Sequence, residues 1–172
     1  LYRRYLDELP SADSAGRLAL EYGLRWLERR MDECEPASTV LIHADFRTGN
    51  YMVADGQLTG ILDWEFAAWS DPMEDLGWFL ARCWRFGQMT REAGGIGSRE
   101  AFYQGYDQQA ETLALPHRVD HERVLLWEVM ALIRWGIIAL QQGDRVTSGG
   151  EQSLELALTG PIALECAAHM LT

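Results

Sequence analysis

Residues 39–65, TVLIHADFRTGNYMVADGQLTGILDWE, decide the fold of this chain. The stretch opens with a short apolar run over residues 39–44 that is rich in β-branched side chains and has the composition of a strand. Two further strand-like runs lie on either side of Asp55-Gly56, the dipeptide that most strongly signals a two-residue hairpin turn. The sequence therefore predicts a small β element over residues 39–64 that contains one hairpin.

Helical patterns flank this β element on both sides. Apolar residues recur at helical spacing from Ser11 to about Glu33, and Asp71-Pro72 marks the return to helix afterwards. The later helices are predicted over residues 72–84, 98–110, 120–142 and 150–171, and the glycine cluster at 93–98 is predicted to be a flexible interhelical loop. The chain is therefore expected to be α+β and predominantly helical, with residues 1–172 forming a single domain.

Composition excludes several classes of protein. The 172 residues carry 15 Lys+Arg and 26 Asp+Glu, a net charge of −11 that argues against a nucleic-acid partner recognised by charge. Cys34, Cys83 and Cys166 are far apart and form no CxxC pattern, so neither a disulfide framework nor a zinc ribbon is indicated. We expect no apolar run of the ~18–20 residues that a membrane span needs. A soluble, cytoplasmic protein without a membrane partner is predicted.

The segment HADFRTGN carries an H-x-D-x-x-x-x-N spacing at His43, Asp45 and Asn50, and Asp63 follows at the end of the second hairpin strand. In the phosphoryl-transfer template of kinases, a loop Asp orients the substrate hydroxyl while a loop Asn and a downstream Asp hold Mg²⁺. A hairpin brings the loop before its first strand and the end of its second strand to one edge, so Asn50 and Asp63 should be neighbours. The sequence predicts Asp45 as the catalytic base and the other two as Mg²⁺ ligands.

The same residues, together with DWEFAAWSDPMEDLGWF over 63–79 and EQSLELAL near the end, resemble the aminoglycoside phosphotransferase-like family of small-molecule kinases. The resemblance implies the C-terminal lobe of a protein-kinase-like fold with a small catalytic hairpin. It also implies an enzyme that uses ATP and Mg²⁺ to phosphorylate a hydroxyl of a small molecule, with the loop Asn and the hairpin Asp on the nucleotide side.

Three further residues acquire roles from this resemblance. His43 looks like the buried residue that shapes the catalytic loop. Arg47 stands two residues after the base and is expected to stabilise the charge of the transferred phosphate. Glu65 follows the metal-binding Asp closely and is expected to join the metal site by holding a metal-bound water.

The chain also departs from the family pattern. A complete member carries an N-terminal lobe with a strand-borne Lys for the nucleotide phosphates, and this chain contains no Lys at all. The expectation is therefore a C-terminal lobe whose nucleotide lobe is absent and which is inactive without it. Its cleft face should be exposed and apolar, which favours self-association.

Two other functions stay open at this point: a catalytically silent ligand-binding or interaction module derived from such a kinase, and a metal-dependent hydrolase. The acceptor is equally open between an aminoglycoside and a metabolic alcohol such as a hydroxyacyl compound. Outside the motif, Asp71 is predicted to cap the following helix and Asp75 to bond the backbone of the catalytic loop. His117 and His121 have the spacing of a metal pair but no third ligand at helical spacing, so ligation is not favoured.

Overall fold

A computed structural model describes residues 2–8, 14–32 and 38–147 of the chain. Its helices are α1 (Tyr2–Glu8), α2 (Ser14–Asp32), α3 (Met73–Leu80), α4 (Arg99–Thr112) and α5 (His121–Thr147), and its strands are β1 (Val40–Ile42), β2 (Tyr51–Ala54), β3 (Gln57–Ile61) and β4 (Ala68–Ser70). Short 3-10 helices occupy Trp64–Phe66 and Arg82–Trp84. The helix predicted over 150–171, Cys34 and Cys166 lie outside the described residues.

The contacts between residues divide the chain into two compact units. One contains residues 1–33 and 129–172, and the other contains residues 34–128, so the boundary falls within α5. The sequence predicts one domain over 1–172, and that organisation stays a prediction. Each unit is described by itself.

In the first unit, α1 and α2 are joined by an arginine and by apolar contacts. Arg3 donates from Nε and Nη2 to the carboxylate of Glu28 at 3.0 and 2.7 Å, and from Nη1 to Glu21 at 2.9 Å. These groups are partly exposed, so the ion pairs contribute modestly to stability. Leu6 on α1 and Leu20 on α2 are fully buried, and their apolar area is the larger contribution.

In the second unit, the predicted hairpin is present. Strands β2 and β3 pair antiparallel, with Tyr51 opposite Ile61. Asp55 and Gly56 occupy the turn with φ of 50° and 73°, and two positive φ values are what a tight hairpin turn of the primed type requires. The local signal in the sequence was therefore sufficient to identify this element.

The strand before the catalytic loop has a partner that the sequence did not indicate. Strand β1 pairs antiparallel with β4, which places Leu41 opposite Trp69. Strand β4 is only three residues long, and both Ala68 and Trp69 are exposed, so it has no alternating pattern. Its pairing connects the start of the catalytic loop to the segment that leads into α3.

The core of the second unit lies between α3, α4 and the first turns of α5. Its buried members are Met73, Leu76, Phe79, Leu80, Ala93, Tyr103 and Val124. Helix α3 approaches α5 so closely that a Cβ on Gly77 would lie 2.5 Å from Cβ of Trp127. The absence of a side chain at Gly77 is therefore a packing requirement.

The glycine cluster lies between helices, as predicted, but it is packed against the core. Gly94 donates its N–H to the carbonyl of Phe79 at 3.2 Å, and its own carbonyl accepts from Thr48 Oγ1 at 2.8 Å. Gly94 has a φ of +56°, and a Cβ there would lie 2.5 Å from the Phe79 ring. The expectation of a flexible loop missed this close approach, which only glycine permits.

Within the described part of the chain, one stretch is long and apolar enough to cross a bilayer, at residues His121–Gln142 of α5, where mean hydropathy reaches 1.6. The expectation that no such stretch exists was wrong on this criterion. Half of the stretch is buried in the structure, and core helices of globular domains pass the same test. Length and composition alone are therefore weak evidence for a membrane span.

The packing of α3 leads to a stability prediction based on two helical glycines. Gly77→Ala should lower the free energy of unfolding by about 1–3 kcal/mol, because the new methyl group overlaps Trp127. Gly105→Ala on α4 is the matched control, because a Cβ there meets nothing within 4 Å and alanine favours helix by up to about 1 kcal/mol. Urea unfolding of both variants measures the difference, and equal effects would contradict the close contact between α3 and α5.

Candidate active site

The predicted catalytic loop, residues 43–50, follows β1, and its first two residues are bound by a carboxylate on α3. Asp75 accepts hydrogen bonds from the backbone N–H of His43 at 2.7 Å and of Ala44 at 2.8 Å, one on each carboxylate oxygen. Ala44 is buried with a φ of 62°, a left-handed conformation that costs a non-glycine residue about 1–2 kcal/mol. Burial raises the pKa of the Asp75 carboxyl, and the two N–H donors act in the opposite direction. The prediction that Asp75 bonds the backbone of this loop is confirmed.

His43 joins the loop to the end of the hairpin. Its Nδ1 accepts from the backbone N–H of Asp45 at 3.2 Å, so its Nε2 carries the proton and donates to the carbonyl of Leu62 at 2.6 Å. The ring is 3% exposed. Both ring nitrogens are therefore engaged in a neutral imidazole, a geometry that suits the loop-shaping role and not acid–base chemistry.

Asn50 links the predicted base to the predicted metal site. Its Nδ2 donates to the backbone carbonyl of Asp45 at 2.9 Å and to Asp45 Oδ2 at 2.7 Å. Because both bonds use the amide nitrogen, Oδ1 of Asn50 is the atom left to bind a cation. Asn50 is 2% exposed, so this orientation is fixed by its surroundings.

Asp63 is brought to the same place through the backbone. The carbonyl of Asn50 accepts from the N–H of Leu62 at 2.8 Å, and Asp63 is the next residue. Asp63 has a φ of 60° and precedes the 3-10 helix without making a side-chain cap. Its carboxylate is exposed, as is that of Glu65 in the first turn of that helix. Within the described part of the chain, no hydrogen bond or ion pair joins the Glu65 side chain to the rest of the loop.

The oxygen atoms of Asn50 and Asp63 suit the Mg²⁺ that the family resemblance implies. An amide oxygen from Asn50 and a carboxylate from Asp63 are hard oxygen ligands, and Mg²⁺ bound with a nucleotide takes few ligands from the protein. Among the residues that the structure describes, no group of three or more His, Cys, Asp or Glu side chains could hold a metal by itself. A metal-dependent hydrolase would need more protein ligands than Asn50 and Asp63 supply.

Arg47 lies beside the base. Its Nε is 3.5 Å from Asp45 Oδ2, and its guanidinium lies 5.0 Å from the centre of the Trp84 ring. The side chain is 30% exposed, so one side of the guanidinium can face a ligand. Its predicted role toward the phosphate stays a prediction.

Sequence reasoning missed one residue that touches the predicted base. Trp78 Nε1 donates to Asp45 Oδ1 at 2.9 Å. Helical spacing could have indicated this contact, because Trp78 follows Asp75 by three residues on α3 and therefore lies on the same face of the helix.

The two histidines are not brought together on one helix face. His121 begins α5, whereas His117 lies in the preceding loop. The ring of His121 packs edge-on against Tyr103, and the ring of His117 lies 6.2 Å from that of Tyr106. The structure gives no support to a metal pair at these positions.

Large apolar side chains are exposed along the hairpin and the 3-10 helix that follows it. We call this set the hairpin surface; its members are between 40% and 58% exposed, and they are Met52, Val53, Leu58, Leu62, Trp64 and Phe66. Apolar clusters of this kind on a protein surface commonly mark interaction sites.

A scan against protein families gives a match for residues 2–123, to the model described as the phosphotransferase enzyme family. The chain belongs to this family. Among curated proteins, the chain is similar to 4-hydroxytryptamine kinase of Psilocybe cubensis, with 25% identity over 112 residues. That match covers 61% of this chain but 30% of the fungal kinase.

Solved structures share the fold of this chain. A candidate aminoglycoside phosphotransferase from Ralstonia eutropha JMP134 superposes with a TM-score of 0.65 at 20% identity, over 99% of this chain and 55% of that one. A thermostable mutant of aminoglycoside phosphotransferase APH(4)-Ia gives a TM-score of 0.56 at 17% identity, over 91% of this chain and 45% of that one. The predicted α+β, kinase-like fold is confirmed, and the chain spans about half the length of these structures.

The site leads to a prediction about Asp75. Asp75→Asn should lower the free energy of unfolding by about 1–3 kcal/mol, because an amide has one acceptor oxygen for the two N–H donors of His43 and Ala44. Glu111→Gln, an exposed change of the same chemistry on α4, is the control and should have little effect. Urea unfolding measures both, and wild-type stability in Asp75→Asn would contradict the assigned hydrogen bonds.

Proposed function

We propose that this chain supplies the catalytic and acceptor-binding part of an ATP- and Mg²⁺-dependent phosphotransferase that phosphorylates a hydroxyl group of a small molecule. One arrangement carries the proposal: Asn50 holds the Asp45 carboxylate through its amide nitrogen while its backbone carbonyl bonds the residue next to Asp63. A base and two oxygen ligands for a metal are thereby gathered on one loop and one hairpin. Family membership in the phosphotransferases supports the reaction class.

Each residue of the site has a separate role in the proposed reaction. Asp45 accepts the proton of the acceptor hydroxyl as that oxygen attacks the terminal phosphorus of ATP, and the bond between that phosphorus and its bridging oxygen breaks to release ADP. Asn50 Oδ1 and the Asp63 carboxylate would hold Mg²⁺, with Glu65 on a metal-bound water. When bound, Mg²⁺ supplies charge neutralisation on the phosphates. Arg47 adds positive charge beside the reacting centre.

Nucleotide and acceptor are proposed from the relatives and from chemistry. Structures of mutants of APH(4)-Ia hold AMP-PNP or ADP together with hygromycin B. We propose ATP as the donor for this protein, with a second lobe supplying the remaining nucleotide contacts and the cytoplasm as the place of action. The acceptor class is a small-molecule alcohol, and three probes represent the candidates: hygromycin B, 4-hydroxytryptamine and a 3-hydroxyacyl compound.

The decisive test uses the complete gene product, purified and assayed for ATP-dependent phosphorylation of the three probes. Asp45→Asn should lower turnover about 100-fold or more and leave ATP binding nearly intact, because it removes the proton acceptor and none of the proposed metal ligands. Asp63→Ala should lose Mg²⁺-dependent ATP affinity as well as turnover. Steady-state kinetics and calorimetric ATP titration separate these two results.

Asp55→Asn is the matched control for Asp45→Asn. It makes the same chemical change in the hairpin turn, where asparagine tolerates the left-handed backbone, and it should keep wild-type turnover. Wild-type turnover in both Asp45→Asn and Asp63→Ala would refute the mechanism. ATP binding without transfer to any hydroxyl acceptor would favour the silent binding module instead.

The 172 residues on their own should bind ATP–Mg²⁺ weakly and associate with each other. Two weak oxygen ligands and no lysine give an expected dissociation constant in roughly the millimolar range or above. The hairpin surface should drive association, and Leu58→Glu should reduce it, whereas Leu113→Glu, at 58% exposure on another part of the unit, should not. Calorimetry and light scattering are the measurements. Micromolar ATP binding, or a monomer at high concentration, would contradict these expectations.

A further inference from the structure

Four contacts form a closed ring around the carboxylate of Asp45. Trp78 Nε1 donates to Oδ1 at 2.9 Å, and the centre of the Trp78 ring lies 5.3 Å from that of Trp84. The guanidinium of Arg47 lies over Trp84 at 5.0 Å, and Arg47 Nε is 3.5 Å from Asp45 Oδ2. Each carboxylate oxygen therefore contacts a different member of one continuous set. We call Trp78, Trp84 and Arg47 the Asp45 clamp.

We propose that Trp78 is a positioning residue for phosphate transfer, whose indole N–H fixes the plane of the Asp45 carboxylate. This inference rests on the proposed function, in which Asp45 is the base. The terminal torsion of an aspartate side chain is broad, and the bond from Asn50 holds the Asp45 carboxylate at Oδ2 alone. The indole bond at Oδ1 is the second fixed point, and two points define the plane of the carboxylate. A base has to stay within hydrogen-bond reach of the proton that it takes, and small displacements of a reacting group lower the rate strongly.

The position of Trp78 on α3 suits this role. Asp75 bonds the backbone at the start of the catalytic loop, and Trp78, three residues later on the same helix face, bonds the side chain of the base. One helix therefore sets both the path of the loop and the orientation of Asp45. Trp78 is 4% exposed, and its ring packs against that of Trp84. An indole N–H can only donate a hydrogen bond, so it cannot take the proton that Asp45 receives from the substrate hydroxyl.

A second tryptophan in the same unit provides the comparison that separates positioning from packing. Trp127 Nε1 donates to Asp71 Oδ2 at 2.9 Å, the same length as the bond from Trp78 to Asp45. Asp71 anchors the start of α3 and has no proposed part in the reaction. Replacing either tryptophan with phenylalanine removes one bond from an indole to a carboxylate and keeps an aromatic ring in place.

The experiment compares Trp78→Phe with Trp127→Phe in the complete gene product. Trp78→Phe should lower kcat about 10-fold or more, with KM for ATP and for the acceptor within about 2-fold of wild type, because binding groups are untouched and orientation of the base is lost. Trp127→Phe should keep kcat within about 2-fold. The thermal unfolding midpoints should fall by similar amounts in both variants. Wild-type kcat in Trp78→Phe, or an equal loss in both variants, would overturn the inference.

A second measurement does not depend on turnover. In protein labelled with ¹⁵N at the indole nitrogens, the Trp78 N–H should be protected from solvent exchange and should lose that protection in Asp45→Ala, while the Trp127 signal stays unchanged. An unchanged Trp78 signal in Asp45→Ala would overturn the clamp. Absence of transfer activity in the wild-type protein would overturn the proposed function and the positioning role with it. The NMR result then shows whether the clamp itself is present.

Discussion

The pair of hydrogen bonds from the backbone of His43 and Ala44 to the Asp75 carboxylate is the constraint on which the candidate site depends. The chain leaves β1 and turns at once through a left-handed alanine, which would be unfavourable in isolation. The turn also buries two N–H groups that no strand partner receives. A single carboxylate offsets both costs, because it has one oxygen for each donor. The backbone that carries Asp45 is therefore determined by a side chain about thirty residues further along the chain.

Helix α3 in turn is anchored at its start. Asp71 accepts from the N–H of Met73 with Oδ1, which confirms the predicted helix cap, and its Oδ2 accepts from Arg123 and Trp127 on α5. The lack of a side chain at Gly77 lets the two helices approach closely. Core packing therefore sets the position of α3, and α3 sets the position of the loop.

The parts of this structure that were predictable from sequence are those with local causes. Asp55-Gly56 specifies its hairpin within four residues, and the helices follow from apolar spacing. Strand β4 was missed because its three residues do not alternate between apolar and polar side chains. Only pairing with β1, which the sequence does not show, makes this segment a strand. The packed glycine loop was missed because the need for Gly94 comes from Phe79, which is distant in sequence. Trp78 was missed for a related reason: hydrogen bonding of its indole is invisible in a pattern that treats tryptophan as apolar.

Asn50 makes the base and the proposed metal site inseparable. One amide supplies a nitrogen to Asp45 and leaves an oxygen on the opposite side of the same planar group for a cation. In the proposed mechanism, the dimensions of a carboxamide would set the separation between base and metal, and not the packing of two independent side chains. Aspartate in this place would keep the oxygen but lose the donor, and it would set a second negative charge against Asp45. The proposed chemistry of the loop therefore requires an amide at this position, and the H-x-D-x-x-x-x-N spacing marks where the chain provides it.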